Sequence, residues 1–375
     1  MKVLHVFKVY LPESYGGIEQ SIYQLSCATS QLGVENTILC ITHGKDDSTL
    51  HRDEATVVRC PVLFEKASTP VALKLFTAYP RLARECDIIH YHFPYPIQDI
   101  LHVCFRTGKP SLVTYHSDIV RQKVLNVFYR PLMRAFLSTV DAIVATSENY
   151  LRTSNTLMSY RDKVTVIPIG INRALFPPLS QEKVDYWKNR LGQRFFLFVG
   201  VFRYYKGLSI LLHAARNRDY KIVIAGVGPL EQQLKTEAKD LGLTNVEFVG
   251  RVSDEDKVAL LSLCLAVVFP SHLRSEAFGV TLVEGAMFGK PLISAEIGTG
   301  TTFINIHDVT GIVVPPSDPD ALRGAMDRLH SDTALAERYG ANALARFEQY
   351  FSAERMGAMY LQLYNTILRE RSGAR

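Results

Sequence analysis

The chain has 375 residues, 47% of them hydrophobic and 21% charged, and its formal net charge is +5 at pH 7. This length favours two domains over a single core, and the composition excludes a largely disordered chain. The charge is too small to indicate a nucleic-acid partner, although it suits a protein that meets phosphates or an anionic surface.

Short β-branched or aromatic runs alternate with amphipathic helical patterns along the chain. The predicted strands of the first half begin at Val3, Asn36, Asp87, Pro110, Ala142 and Val164. Pro177-Pro178 and the polar residues around them then interrupt the pattern. The predicted strands of the second half begin at Phe195, Lys221, Val246, Ala266, Pro291 and Gly311.

This alternation, with strands that are continuously apolar, predicts parallel sheets that are covered by helices on both faces. The fold class is therefore α/β, with two Rossmann-like domains joined near residues 172–193. The segment that begins at Ser352 predicts a long terminal helix. Because ligands bind beyond the carboxyl ends of such strands, we expect the functional residues to lie there.

Six cysteines are scattered along the chain without a C-x-x-C pair. This usage is typical of reduced cysteines in a cytosolic protein rather than of a disulfide framework. The stretch MKVLHVFKVY does not have the long apolar core of a signal peptide, and no apolar run approaches the ~18 residues of a membrane-spanning helix. We therefore expect a cytoplasmic protein that is soluble or peripheral to a membrane.

Two polar motifs follow predicted strands of the first half. In YGGIE, Gly16 and Gly17 open a helix and let backbone amides approach a phosphate or a sugar, with a plain turn as the alternative. In YHSD, His116 is suited either to donate a hydrogen bond in a cleft or to a structural role. His90 and His92 share one strand face, but no third ligand stands at a telling spacing, and we favour a structural role over a metal site.

Two glycine-containing motifs follow strands of the second half. In GVFRYYKG, Arg203 and Lys206 lie three residues apart where a helix begins, which suits a diphosphate clamp; a solvated basic turn is the alternative. In IAGVGPLE, Gly228 completes a G-x-G pattern that lacks the third glycine of a dinucleotide site. We interpret it as a turn before a helix that starts at Pro229.

The acidic residues do not predict a metal site. Asp318-Pro319-Asp320 has the spelling D-x-D, but it stands at a predicted helix start, where Ser317 or Asp318 caps the helix. Asp254 and Asp256 also stand at a helix start. Glu276 and Glu284 occupy a loop and the following helix, and because buried carboxylates need hydrogen-bond partners, we expect sugar hydroxyl groups to provide them.

Taken in order, G-G-x-E, G-x-x-R-x-x-K-G, A-G-x-G-P and E-x7-E resemble the motifs of retaining GT-B glycosyltransferases of the family 4 type. The similarity spans essentially the whole chain. It implies two Rossmann-like domains facing across a cleft, with residues 1–172 binding the acceptor and residues 173–350 binding the nucleotide sugar. It also implies that residues 351–375 form a helix that crosses back onto the first domain.

The resemblance also implies roles for residues that match the family motifs. Arg203 and Lys206 would bind the donor diphosphate. Glu276 would bind hydroxyls of the donor sugar and Glu284 those of the ribose. The remaining expected substrate contacts are His116 beside the transferred sugar, Gly16 and Gly17 near the phosphates or the acceptor, and Gly228.

The segment GTGTTFIN departs from the simpler pattern of many relatives and resembles bacterial mannosyltransferases that use GDP-mannose to build surface polysaccharides such as O-antigen. Gly298, Thr299, Gly300 and Thr301 would offer donors to the β-phosphate and the sugar. We therefore expect transfer of a hexose, mannose from GDP-mannose, to a lipid-linked saccharide, with no metal or other cofactor. A UDP-sugar donor, a nucleotide-sugar epimerase, a dehydrogenase and a non-enzymatic sugar-binding protein remain alternatives.

A basic and apolar segment, Ile119 to Leu137, carries Lys123, Arg130 and Arg134 within a narrow helical arc, although Pro131 interrupts the pattern. It predicts peripheral contact with the anionic inner face of the cytoplasmic membrane. A basic surface on a core helix is the alternative.

Overall fold

The computed structural model describes residues 1–14, 16–45, 47–66, 69–119 and 123–373. By its internal contacts the chain divides into two compact units. The first unit comprises Met1–Gly170 together with Ala353–Arg375, and the second comprises Ile171–Ser352. Each unit is built on a parallel sheet with helices packed against it, which confirms the predicted α/β class.

The first unit contains an eight-stranded sheet within its described residues. The strands of the unit are β1 (Lys2–Val6), β2 (Glu35–Thr42), β3 (Ser48–His51), β4 (Thr56–Pro61), β5 (Phe64–Lys66), β6 (Thr69–Val71), β7 (Ile88–Phe93), β8 (Ser111–Tyr115), β9 (Ala142–Ala145) and β10 (Val164–Val166). The sheet has the order β10-β9-β8-β7-β1-β2-β4-β3, and β5 and β6 form a separate antiparallel pair. Its helices are α1 (Gly17–Gln31), α2 (Leu75–Glu85), α3 (Pro96–Phe105), α4 (Lys123–Thr139), α5 (Glu148–Thr153) and α6 (Asn155–Met158), with a 3-10 turn at Arg161–Lys163.

The second unit contains a six-stranded sheet in the order β13-β12-β11-β14-β15-β16. Its strands are β11 (Phe196–Val199), β12 (Ile222–Ala225), β13 (Val246–Gly250), β14 (Ala266–Phe269), β15 (Leu292–Ala295) and β16 (Gly311–Val314). Its helices are α7 (Gln181–Leu191), α8 (Leu208–Ala214), α9 (Glu231–Asp240), α10 (Asp254–Leu263), α11 (Val280–Met287), α12 (Thr301–Ile304), α13 (Pro319–Ser331) and α14 (Thr333–Tyr350). Two 3-10 turns, Arg173–Leu175 and Tyr204–Lys206, complete it.

All twelve predicted strands are confirmed, since each run forms a strand of one of the two sheets, and most of these strands are buried. The side chains of Phe196, Phe198, Ile222 and Ile224, for example, are fully buried in the second unit. The expectation of purely parallel sheets was wrong at one edge, where β3 pairs antiparallel with β4. Strand β3 alternates between half-buried and exposed residues, which is typical of an edge strand with one face in water.

Helix starts follow the local capping rules. Asp318 accepts hydrogen bonds from the amides of Asp320 and Ala321, as predicted for a cap. Ser253 and Asp256 form a reciprocal capping box on α10. The predicted helix start at Pro229 was wrong by two residues, since α9 begins at Glu231.

The terminal helix α15 (Ala353–Gly373) belongs to the first unit. It packs closely on α1, because a side chain on Gly357 would have its Cβ 2.8 Å from Cβ of Ala28. Its Tyr360 and Tyr364 are buried against the sheet. No helix in the described ranges is both long enough and apolar enough to cross a membrane.

Candidate active site

Loops at the carboxyl edge of the second sheet contact one another backbone to backbone. A side chain on Gly228 would place its Cβ 2.5 Å from the backbone nitrogen of Phe202, and one on Gly226 would lie 2.0 Å from the carbonyl oxygen of Gly200. Gly226 also has a φ of 134°, which L side chains rarely adopt. Gly228 therefore has a structural reason to be glycine: it lets the loop after β12 lie against the segment that leads to Arg203.

Lys206 and Glu276, both predicted as site residues, form an ion pair. Lys206 Nζ lies 2.5 Å from Glu276 Oε2, and the two side chains are only 13% and 12% exposed. Ser271 donates its hydroxyl to the same carboxylate at 3.1 Å, and the ammonium lies 4.7 Å from the centre of the Phe269 ring. Each charge thus already has a counter-charge, and an anion that binds Lys206 would share or replace the contact with Glu276.

Arg203 precedes this pair on the same turn. Its backbone is extended, with φ −112° and ψ 153°, and the 3-10 turn Tyr204–Lys206 follows before Gly207 at φ 70°. Its side chain is exposed. No carboxylate in the described part of the chain pairs with its guanidinium, so this cation is open to an anionic ligand.

Glu284 lies on α11, about one turn from its start, as predicted. Its Oε1 accepts a hydrogen bond from Nζ of Lys257 at 2.9 Å, and Lys257 also lies 3.2 Å from Asp254. Burial lowers the pKa of Lys257, but the two carboxylates outweigh burial and hold that pKa above its usual value. Among the described residues none donates a hydrogen bond to the second carboxylate oxygen of Glu284, so that oxygen can accept one from a ligand.

Gly298 and Gly300 follow β15. Gly298 has a φ of 67°, and its carbonyl oxygen accepts a hydrogen bond from Arg274 at 2.8 Å. The amide of Gly300 donates to the carbonyl oxygen of Ala277 at 2.9 Å, and a Cβ on Gly300 would lie 2.6 Å from the Phe278 ring. Through these backbone contacts the two glycines pack this segment against the loop that contains Glu276.

Thr299 and Thr301 are fully buried. The hydroxyl of Thr301 donates to the carbonyl oxygen of Ala295 at 3.3 Å, and the two threonine hydroxyl oxygens are 3.5 Å apart. Because a hydroxyl has a single proton, the Thr301 hydroxyl is engaged within the protein. Its predicted donation to a ligand would require that bond to be exchanged.

Gly16 and Gly17 lie at the start of α1 in the first unit, and Tyr15 of the same motif lies outside the described residues. A Cβ on Gly16 would lie 2.5 Å from Oε2 of Glu19, whereas nothing lies within 4 Å of one on Gly17. Glu19 is buried in the first helical turn, where the helix dipole favours a carboxylate. The open approach to the backbone is therefore on the side of Gly17.

His116 follows β8 directly, also in the first unit, and is only 5% exposed. Its Nε2 lies 3.1 Å from Nδ1 of His92. Burial lowers the pKa of His116 to about 3, so the imidazole is neutral at physiological pH. Such a group forms hydrogen bonds but does not provide a positive charge.

His90 and His92 lie in a cluster with His5, a residue that the sequence patterns did not single out. One ring nitrogen from each lies within 4.8 Å of the others. His5 contacts His92 and Asn36, while His90 contacts Tyr364 and Thr114 at 2.8 and 2.7 Å. All ring nitrogens of the three histidines have hydrogen-bond partners within the protein, so the cluster is satisfied as a polar part of the core.

Within the second unit, the structure brings Lys206 to Glu276 and the Gly298–Thr301 segment to the loop of Glu276. His116 and the glycine pair belong to the first unit. Lys257 was missed from the sequence because its partner Glu284 is 27 residues away on another helix. Rules based on the spacing of neighbouring residues cannot predict an ion pair between residues so far apart in sequence.

Two families match the chain: "Glycosyltransferase Family 4" over residues 15–175 and "Glycosyl transferases group 1" over residues 181–346. The D-rhamnosyltransferase WbpZ of Pseudomonas aeruginosa is 51% identical over 353 residues, which are 94% of this chain and 93% of that protein. The chain is a family 4 glycosyltransferase.

This glycosyltransferase is also 49% identical to O-antigen chain mannosyltransferase C of Escherichia coli over 372 residues, which are 99% of the chain and 100% of that protein. Sucrose-phosphate synthase from Thermosynechococcus elongatus shares its fold, with a TM-score of 0.81 at 22% identity, over 98% of this chain and 99% of the other. The predicted GT-B fold and family are confirmed. Membership favours transfer over the epimerase, dehydrogenase and sugar-binding alternatives.

Proposed function

We propose that this glycosyltransferase moves mannose from GDP-mannose onto a lipid-linked saccharide during O-antigen synthesis, with retention at the anomeric carbon. The observation that carries the proposal is the near-complete coverage at 49% identity by an O-antigen chain mannosyltransferase. A D-rhamnosyltransferase at 51% identity favours a second candidate, D-rhamnosyl transfer. D-Rhamnose is 6-deoxymannose, so both candidates require a pocket for the same ring configuration.

The second unit is the proposed donor-binding unit, because its strand-end loops present two cations and the carboxylate of Glu276, and α11 adds that of Glu284. Arg203 is exposed and Lys206 is paired with Glu276 at 2.5 Å. A donor diphosphate would compete with Glu276 for Lys206, which would release the Glu276 carboxylate to accept hydrogen bonds from sugar hydroxyls. The pair would thus exchange partners when the donor binds, with the ammonium facing the diphosphate and the carboxylate accepting hydrogen bonds from hydroxyl groups.

The proposed step is a front-face displacement. The acceptor hydroxyl oxygen bonds to the anomeric carbon, the bond from that carbon to the diphosphate oxygen breaks, and the hydroxyl proton passes to the leaving phosphate. Arg203 and Lys206 would stabilise the charge that develops on the diphosphate. Glu276 would contact sugar hydroxyls and would not act as a nucleophile.

Metal independence is part of the proposal. The acidic pairs that have a metal-binding spelling serve as helix caps: Asp318 accepts from two backbone amides, and Asp256 belongs to the capping box of α10. The two cations of the second unit would then neutralise the diphosphate. Transfer that persists after exhaustive EDTA treatment is the expected result, and restoration of lost activity by a divalent cation would contradict it.

The first unit is the proposed acceptor-binding unit and membrane contact. Helix α4 continues through Pro131, and it exposes Phe128, Arg130 and Arg134, with Phe128 81% exposed. The side chain of Lys123 lies outside the described residues. A helix that exposes both an aromatic ring and cations is suited to the headgroup region of an anionic membrane, which would place the enzyme at the inner face of the cytoplasmic membrane.

Product analysis tests the donor. The purified protein is incubated with a lipid-linked acceptor and, in turn, GDP-mannose, GDP-D-rhamnose and UDP-glucose, and the products are identified by mass spectrometry and anomeric NMR. Mannosyl transfer with an α product from the α donor is expected. Transfer from UDP-glucose alone would refute the proposed donor class, and an inverted product would refute the mechanism.

Arg203→Ala tests the site. We expect turnover to fall about a hundredfold or more, because a charge that stabilises the leaving group is lost, while thermal unfolding stays unchanged. Arg216→Ala removes another exposed arginine of the second unit and is the matched control. Equal activity of the two variants would exclude Arg203 as a group that binds the donor diphosphate.

A further inference from the structure

Four polar side chains form a line across the first sheet. Strands β8, β7, β1 and β2 are neighbours in that order, and they bring together His116, His92, His5 and Asn36. The contacts are His116 Nε2 to His92 Nδ1 at 3.1 Å, His92 Nε2 to His5 Nδ1 at 3.1 Å, and His5 Nε2 to Asn36 Oδ1 at 3.2 Å. All four side chains are buried.

The three imidazoles lie end to end. Ring centroids are 5.4 Å apart in both the His5–His92 and the His92–His116 pair, with interplanar angles of 19° and 24°. This separation is close to the largest that a 3.1 Å nitrogen–nitrogen contact allows. The contacting nitrogens therefore lie near the line that joins the centroids, which is the linear geometry of a hydrogen bond.

The direction of these hydrogen bonds is determined at Asn36. Its Nδ2 lies 3.1 Å from the carbonyl oxygen of Ser26 and 3.3 Å from that of Glu54. Carbonyl oxygens only accept, so the amide nitrogen of Asn36 has to face them. Its Oδ1, which only accepts, consequently faces His5, and the Nε2 of His5 has to carry the proton.

The same reasoning passes along the line, because a neutral imidazole has one donor and one acceptor nitrogen. Burial lowers the pKa of His5 to about 4 and that of His92 well below its usual value, so both are neutral. The Nδ1 of His5 is then an acceptor and His92 donates from Nε2. The Nδ1 of His92 is in turn an acceptor, and His116 donates from Nε2.

We propose that Asn36, His5 and His92 are positioning residues that hold His116 as its Nε2–H tautomer and thereby present its Nδ1 lone pair to a hydroxyl group of the bound sugar. Among the described residues no protein group contacts that Nδ1. His116 is then an acceptor towards the ligand, not the donor that the sequence suggested. The identity of the ligand rests on the proposed function, whereas the tautomer is a property of the protein alone.

The line of histidines orients His116 without making it a base. It ends at the amide of Asn36, which carries no charge that would stabilise an imidazolium, whereas the carboxylate of a Ser-His-Asp triad does. A divalent ion bound by His5 and His92 would need their hydrogen-bonded nitrogens as ligands. Such an ion would therefore break the line.

Tautomers are measured by NMR of the ligand-free protein labelled with ¹⁵N-histidine, in which the two ring nitrogens of each tautomer have distinct shifts. The His116 signals are assigned by their loss in a His116→Gln variant. We expect His5, His92 and His116 each to be neutral and protonated on Nε2. A proton on Nδ1 of His116, or stoichiometric zinc retained by the purified protein, overturns the proposal.

The variant pair is His92→Leu and His90→Leu. His90 matches His92 in burial, lies on the same strand face with its ring centroid 4.3 Å away, and forms two hydrogen bonds that are outside the line. His92→Leu should give His116 a second tautomer and lower kcat/KM about tenfold to a hundredfold, the effect of an unpaired buried donor. His90→Leu should leave the His116 tautomer unchanged.

Equal losses of kcat/KM in both variants, with an unchanged His116 tautomer, would show a purely structural role for His92. If His92→Leu does not fold, the wild-type tautomers still decide the proposal. If no tested donor supports transfer, the proposed function fails while the tautomer result stands on its own.

Discussion

The pair formed by Lys257 and Glu284 allows a quantitative prediction for Lys257→Met. The two groups are 2.9 Å apart and their side chains are 18% and 12% exposed. At an effective dielectric constant of ~20 their attraction is about 6 kcal/mol before desolvation, and breaking a buried pair costs about 3–5 kcal/mol in measured cases. Because both side chains keep some contact with water, we expect the variant to lose about 2–4 kcal/mol of unfolding free energy.

Trp187 provides the assay. It is the only tryptophan of the chain and is buried in α7, so its fluorescence during urea unfolding reports on the second unit. The control is Lys235→Met, which removes an exposed i,i+4 pair with Glu231 and should cost at most about 0.5 kcal/mol. A loss below 1 kcal/mol for Lys257→Met, or equal losses in the two variants, would refute the reasoning.

The double variant Lys257→Met with Glu284→Gln separates stability from binding. We expect it to recover at least half of the lost stability, because no buried charge then lacks a partner. GDP binding measured by calorimetry should nevertheless weaken about tenfold or more, because the carboxylate proposed to hold the ribose is gone. A double variant that binds GDP like the wild type would contradict the role of Glu284.

Three further predictions concern Lys257, Gly228 and Phe128. Because the carboxylates hold the pKa of Lys257 above its usual 10.5, the lysine of the unfolded chain loses its proton before that of the folded chain as pH rises. The difference in unfolding free energy between the wild type and Lys257→Met should therefore be constant below about pH 10 and shrink above it. A decrease of this difference between pH 7 and 9 in urea titrations would contradict the reasoning. Gly228→Ala should lower the unfolding free energy by about 2 kcal/mol or more and weaken GDP binding, because its Cβ would lie 2.5 Å from the backbone of Phe202; unchanged melting would exclude that backbone contact. Phe128→Ala should reduce co-sedimentation with anionic vesicles, whereas Leu179→Ala, which truncates a 55% exposed side chain of the second unit, should not; equal binding of both would remove α4 as the membrane contact.

The order of strands and helices could be predicted because it depends on information carried by neighbouring residues. A run such as FFLFVGV is short, apolar at every position and rich in aromatic residues, which favours a strand buried on both faces. Helix caps at Asp318 and Ser253 are equally local, since a cap bonds amides two or three residues ahead. Strands β3, β4, β5 and β6 were not predicted, because their short runs contain polar residues or proline and lack such a pattern.

Partners that are distant in sequence were decided by the tertiary structure. The positions of Lys206 and Glu276 could be predicted from strand ends, but their ion pair could not, since it depends on how two loops contact each other. No sequence pattern indicated that Lys257 would be a partner of Glu284. The line from Asn36 to His116 exists only because β2, β1, β7 and β8 lie side by side.

The physical reason for this difference is the distance along the sequence over which each rule acts. Periodicity, capping and glycine turns operate within a few residues, so the sequence by itself determined most of the elements, their order and the strand ends at which the predicted site residues lie. Hydrogen bonds and ion pairs between elements depend on strand order and loop contact. Only the folded chain therefore decided which ring nitrogen of His116 carries its proton and which cation holds Glu284.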